Sequence, residues 1–356
     1  MLLFHSCPIL HACTMLFYFG SYDIFVGIIS LLICLDIVAV VTRVYARRLT
    51  RQKLETDDWL VVPVLILNIG MAVSVFIGIG DHALTHRYPT SDVSPEQAAY
   101  GKAKQGVLMK IEYALLLMVA AALTLIKLSF LFFYKRVFVY DKTNWKDVRN
   151  IIIHALIALI IIWGLGFVLI MLTGCRNHFY AHYSTLEDTM GKCINTFLYL
   201  YAFAISDFIT DVLIILTPIP FILKLRLSLK RKLGIMLVFL LGALAAITSM
   251  MRMIWMKYIM DMTESQMPRE FANPIDMPFI VISTEMFWFI LEATIALIAA
   301  CLPTISTIFR TGPVHHFLQN FSSKGSIKSG STFSGKSRLA DWRKTGGQSK
   351  HTQVEV

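Results

Sequence analysis

Seven ionisable residues, Asp36, Lys127, Asp207, Asp211, Arg252, Glu285 and Glu292, stand inside runs of some twenty largely apolar residues. A charge in such a run is costly enough that it faces other helices and finds a partner. Asp207 and Asp211 share a helix face at i, i+4, and Glu285 and Glu292 share one at i, i+7. At a rise of about 1.5 Å per residue, Lys127 stands roughly 10 Å above the cytoplasmic end of its span. Asp36 lies at a similar height, Asp211 and Glu292 nearer mid-membrane, and Arg252 and Glu285 in the outer part. These positions predict a buried polar network joining Lys127 to Asp36, Asp211 or Glu292, and a second pair, Arg252 with Glu285, under the outer mouth. Such a network is either a functional site or a set of pairs that fixes helix register. It holds no zinc-hydrolase set, which needs three histidines and a carboxylate near the membrane surface. The one histidine in a span is His154, so no metal is expected.

The elements that must position these groups follow from hydropathy. Mean hydropathy is +0.64, with 56% hydrophobic and 16% charged residues, outside the range of soluble domains. Apolar runs long enough to cross a bilayer fall at about 22–43, 58–79, 109–134, 150–173, 195–223, 233–258 and 279–302. The expected architecture is an all-α, seven-transmembrane helix bundle over 22–305. A short extracellular or lumenal segment, 1–21, precedes it, and a basic Ser/Gly-rich tail, 306–356, follows. Segments outside the spans on the N-terminal side hold 7 Lys and Arg, and those on the opposite side hold 23. The positive-inside rule then puts the N-terminus outside and the C-terminus in the cytoplasm. Basic residues in those places read as topology signals and lipid contacts, so the net charge of +10 does not point to nucleic acid. Pro220 and Pro303 read as helix terminators, Pro303 closing the seventh span, and Pro218 as a terminator or hinge.

Cys7, Cys13, Cys175 and Cys193 fall on the side expected to be oxidising. Cys175 with Cys193 would staple the loop between the fourth and fifth spans. Cys7 with Cys13, or a cross-pairing, stays open because sequence does not set connectivity. Cys34 and Cys301 read as packed apolar residues. His82 with His86 and His178 with His182 are spaced i, i+4 and read as either an outer metal or pH-sensing site or as loop histidines; His5 and His11 lie on the same side.

Several short motifs run in a fixed order. Arg43-Val-Tyr45-Ala-Arg47 leads into Asp57-Asp58-Trp59-Leu60, and the second span ends Gly78-Ile-Gly80-Asp-His82. Lys127-Leu-Ser129 and Phe133-Tyr134-Lys-Arg136 close the third. Gly191-Lys192-Cys193, Ser206-Asp207, Asp211, Pro218-Ile-Pro220, Lys232, Trp288, Glu292 and Cys301-Leu-Pro303 follow. From about residue 40 to 305 the chain resembles the fungal rhodopsin-domain family of receptor-like, seven-transmembrane membrane proteins.

The resemblance implies a multi-pass fungal membrane protein, at the plasma membrane rather than an internal one, that senses an extracellular cue. Its partners would be the lipid bilayer, a small apolar or surface ligand, and a cytoplasmic partner that the sequence does not identify. The seventh span contains no Lys, so a retinal Schiff base is not expected and no cofactor is implied. The loop from Lys224 to Lys232 is short, which gives a G protein little to grip. The alternative is a membrane-embedded enzyme or accessory protein of a secondary-metabolite pathway, using Asp207, Asp211 and Glu292. A transporter reading finds no internal repeat to support it.

Overall fold

Within lipid, an apolar run has no partner for its backbone but itself, and a helix satisfies every peptide group locally. The computed structural model describes residues 22–49, 51, 53, 55–84, 95–138, 148–176, 180–181, 193–220, 229–264 and 276–311. They form seven α-helices: α1 (Tyr22–Leu49), α2 (Thr56–Gly80), α3 (Pro95–Phe138), α4 (Val148–Thr173), α5 (Thr196–Leu216), α6 (Leu229–Glu264) and α7 (Asp276–Thr311). No strand occurs among the described residues. Six of these helices, all but α6, contain described stretches long and apolar enough to cross a membrane. With the 36-residue α6 they make a seven-helix bundle. The helices belong to a unit spanning Met1–Gly312; the second unit, Pro313–Val356, lies outside the described residues.

α3 packs against α2, α4, α5 and α7, and α7 packs against α1, α2, α3 and α6. In their apolar windows, 72% of α7 and 61% of α3 is buried, against 17% of α4. The other helices therefore wrap around α3 and α7, and these two carry much of the buried polar chemistry.

Helix ends follow local chemistry. At the start of α2, the Glu55 N–H donates to Asp58 Oδ2 at 3.2 Å, half of a capping box. α2 ends in a Schellman pattern: Ala83 N–H donates to the Gly78 carbonyl (2.9 Å) and His82 N–H to that of Ile79 (3.0 Å). His82 takes φ 55° there, so it caps a helix and does not continue the face that an i, i+4 histidine pair would need. Asn195 Oδ1 accepts from the Leu198 N–H at 3.2 Å and opens α5.

Two helix ends differ from the sequence expectation. α5 closes at Leu216, short of residue 223, because Pro218 has no N–H to offer the Ile214 carbonyl. Pro303 does not close α7, which continues to Thr311. Pro303 leaves the Ala299 carbonyl without its helical donor, and one residue on, the Ala300 carbonyl accepts from Arg43 Nη1. A neighbouring helix thus supplies hydrogen bonding where the proline disturbs the ladder.

Cys175 and Cys193 form a disulfide that ties the end of α4 to the start of α5, and Ile194 N–H bonds the Gly174 carbonyl beside it at 3.1 Å. Cys7 and Cys13 lie outside the described residues. Cys301 is buried as expected, whereas Cys34 is exposed on the outside of α1, so α1 turns it away from the core.

α4 approaches α3 closely at Gly164, where an added Cβ would lie 2.2 Å from Thr124 Oγ1 and 2.9 Å from its Cβ. Threonine is too short to swing aside. Gly164→Ala should therefore cost about 1–3 kcal/mol through overpacking, measured by thermal unfolding in detergent. An unchanged midpoint would show that α4 is not held at this distance.

Candidate functional site

The seven ionisable residues sort into one central network and two separate sites. Asp207, fully buried on α5, sits at the centre. Lys127 of α3 places its Nζ 2.7 Å from Asp207 Oδ1 and 2.9 Å from Asp211 Oδ1. The same ammonium donates to the Asp207 carbonyl at 3.0 Å and to Thr210 Oγ1 at 2.6 Å. Arg252 of α6 reaches Asp207 Oδ2 with Nη2 at 2.7 Å and stands 2.9 Å from Glu292 Oε2 of α7 through Nη1. Ser249 Oγ donates to Asp211 Oδ2 at 3.1 Å. Four helices are thereby joined through five charges.

Aromatic rings cover the cations. Lys127 Nζ lies 4.8 Å from the Trp163 ring centroid, which is how peripheral α4 reaches the network. Trp163 is oriented by donating Nε1–H to Ser206 Oγ at 2.9 Å. The Arg252 guanidinium stands 5.3 Å from the Phe203 ring and 4.6 Å from Phe289. Such cation–π contacts gain strength where water is excluded.

Oxygens of Asp207, Asp211 and Glu292 all lie within 4.8 Å of one another, a spacing that a metal ion could use. However, Lys127 and Arg252 already stand at 2.7–2.9 Å from these carboxylates. The geometry is that of ion pairs, with a fixed cation on each side where a metal would have to sit. Beside the network, a cavity of about 40 Å³ is bounded by Lys127, Asp211, Glu292 and Tyr134 among apolar side chains. That is room for roughly three water molecules.

Asp36 and Glu285 stand apart from the network. Asp36 does not meet Lys127; its Oδ2 accepts from Asn68 Nδ2 of α2 at 2.8 Å and from Thr294 Oγ1 of α7 at 3.1 Å. Arg252 is committed to Asp207 and Glu292 and does not form the expected pair with Glu285. Glu285 is buried, feels Arg252 and Glu112 electrostatically, and has no hydrogen bond to either carboxylate oxygen among the described residues. Asn68, Thr210, Ser249, Thr294 and Glu112 are not among the residues that the sequence singles out. The available signal was simply that they are polar residues in apolar runs.

A second ion cluster closes the end of the bundle where α1 meets α2. Buried Arg43 donates Nε to Asp58 Oδ1 at 2.8 Å, Nη2 to Asp57 Oδ2 at 2.8 Å, and Nη1 to the Ala300 carbonyl of α7. Arg47, one turn on, stands 2.9 Å from Asp58 Oδ2 and 3.4 Å from Asp57 Oδ2. Arg136 of α3 lies 3.4 Å from Glu55 and 3.8 Å from Asp57, and Ser129 Oγ bonds the Asp57 carbonyl at 3.0 Å. Among the described residues, three arginines thus meet three carboxylates.

The remaining motif residues divide by direction. Tyr45 and Trp59 point outward, 59% and 64% exposed, as aromatic anchors at a bilayer surface would. Tyr134 and Trp288 are buried. Gly78 leaves room for Leu84 and Ile111, whose side chains would lie 2.4 Å and 2.8 Å from an added Cβ, whereas Gly80 faces open space. Pro218 lies in the turn after α5 and Pro220 just beyond it. His5, His11, His86, His178 and His182 lie outside the described residues.

Arg43→Gln should cost about 3–5 kcal/mol, since it leaves two buried aspartates short of a cation. Arg43→Lys should recover little, because an ammonium cannot reproduce the fork-like guanidinium contacts. Thermal unfolding in lipid nanodiscs checks both, and full stability in Arg43→Lys would contradict the geometry.

The family described as "Fungal rhodopsin domain" matches residues 42–311, from just before the first arginine of the cluster to the end of α7. The "Polyenoic acids biosynthesis gene cluster protein Ba17b" of Metarhizium anisopliae is 27% identical over 285 residues, covering 75% of this chain and 68% of that protein. A "SAT4 family membrane protein" of Emericella nidulans is 28% identical over 124 residues, 35% of this chain and 27% of the relative. No solved structure gives a significant match. With the match running from the last turns of α1 to the end of α7, the chain belongs to the fungal rhodopsin domain family of membrane proteins.

Proposed function

We propose that this chain is a receptor-like sensor of the plasma membrane, with its N-terminus outside and its C-terminus cytoplasmic, working without retinal. The orientation rests on the 7-to-23 distribution of Lys and Arg, and it makes the Arg43 cluster cytoplasmic. The single observation carrying the reading is the polar continuity of α7. Glu292 enters the central network, Thr294 bonds Asp36, and the Ala300 carbonyl meets Arg43. A ligand from outside that favours one setting of α6 against α7 would shift the balance at the cytoplasmic cluster, which is how binding at one end biases a two-state element.

A second reading draws on the relative whose name places it in a polyenoic acid biosynthesis gene cluster. On that reading the chain is a membrane-embedded enzyme or accessory protein acting on an apolar metabolite, with Asp211 and Glu292 beside the cavity as the reacting groups. Against catalysis, both carboxylates stand 2.9 Å from fixed cations, which hold them as counter-ions.

Purified protein in nanodiscs, presented with polyunsaturated fatty acids and surface lipids, separates the two. Saturable binding without turnover, accompanied by a changed distance between spin labels on the cytoplasmic ends of α1 and α3, is the expected result. Turnover abolished by Asp211→Asn or Glu292→Gln would overturn the sensor reading.

A further inference from the structure

Asp36 is fully buried on α1, and no Lys or Arg pairs with it among the described residues. Arg43, two turns along the same face, is held by Asp57, Asp58 and the Ala300 carbonyl. Its hydrogen-bond partners are two neutral side chains, Asn68 of α2 and Thr294 of α7. Asn68 and Thr294, exposed by 1% and 0%, both donate to Asp36 Oδ2. Because the Asn68 NH2 faces the carboxylate, its carbonyl oxygen is the atom left over. Asp36 Oδ1 and Asn68 Oδ1 are both buried, with no hydrogen-bond donor among the described residues.

Two donorless acceptors and one negative charge at the junction of α1, α2 and α7 call for a positive species that brings no acceptor of its own. Buried polar groups in native proteins are rarely left unsatisfied without an ion or water to explain them. We propose that this junction binds a sodium ion, held by Asp36 Oδ1 and Asn68 Oδ1, with Thr294 fixing the carboxylate from the other side. A carboxylate oxygen and an amide oxygen are hard donors suited to a hard cation. The single carboxylate matches one unit of positive charge, whereas calcium and magnesium sites draw on more carboxylates, phosphates or retained water. Bound there, the ion ties α1 to α2, and Thr294 links them to α7; these are three of the four helices that the Arg43 cluster joins. The inference is independent of the receptor reading, since a structural ion would serve a sensor or an enzyme equally.

Thermal unfolding in uncharged nanodiscs, with sodium chloride exchanged for choline chloride at constant ionic strength, tests it. The midpoint should rise saturably with sodium in the wild-type protein, and Asp36→Asn should abolish the rise. Asn68→Ala keeps the charge but removes one ligand, and should weaken apparent sodium affinity about tenfold or more. Equal midpoints in the two salts, or an unchanged sodium response in Asp36→Asn, would overturn the proposal. So would an infrared carbonyl band of a protonated carboxylic acid that is absent from Asp36→Asn and persists at saturating sodium, because a proton would then occupy the junction. If Asp36→Asn fails to fold, Asn68→Ala decides, and undiminished sodium affinity in it overturns the site.

Discussion

Asp207 is a carboxylate with no exposure to solvent, and it is bonded to two cations from different helices, Lys127 of α3 and Arg252 of α6. Much of the bundle's interior depends on that sharing. Lipid tails are as apolar as leucine, so burying apolar surface does little to hold one membrane helix against another. Close packing and polar contacts must set the helix positions instead. A buried ion pair is not itself a strong stabiliser, but removing one partner leaves a charge where none can be tolerated. The network therefore acts mainly on register. α3, α5, α6 and α7 cannot rotate independently without separating Asp207, Asp211 or Glu292 from its cation.

α7 extends this constraint along the bundle axis. Glu292 ties it to Arg252, Thr294 to Asp36, and the Ala300 carbonyl to Arg43. A small rotation of α7 would strain all three contacts together, which favours discrete arrangements over gradual drift. The two ion clusters also differ in kind. Among the described residues, the Arg43 cluster sets three arginines against three carboxylates, whereas the central network sets two cations against three carboxylates and has a cavity of about 40 Å³ at its edge. The closely packed Arg43 cluster reads as a fastening, and the central network has room beside it to rearrange.

Much of the architecture was legible in the sequence because a bilayer imposes its thickness on every span. The seven apolar runs correspond to seven helices, and Cys175 and Cys193 pair across the loop they bracket. Partnership inside the membrane was less legible, because hydropathy gives a helix's length but not its rotation against its neighbours. Of the three partners open to Lys127 (Asp36, Asp211 and Glu292), the structure sets Asp211 beside it together with Asp207, while Asp36 turns toward Asn68 and Thr294. Arg252 passed over Glu285 for Asp207 and Glu292. Proline gave an equally local signal with a context-dependent outcome. Pro218 marks the end of α5, but Pro303 is accommodated inside α7, where Arg43 bonds the adjacent carbonyl.

The central claim is that Asp207 and Lys127 act as one unit in fixing the helices, and a double-mutant cycle in thermal unfolding tests it most directly. Lys127→Met and Asp207→Asn, made singly and together in nanodiscs, give the coupling between them. The structure predicts that the double variant loses less stability than the two single losses added together, by about 1 kcal/mol or more. Losses that add to within about 0.5 kcal/mol would mean that the two side chains are not partners, and the network could not be what sets the helices in register.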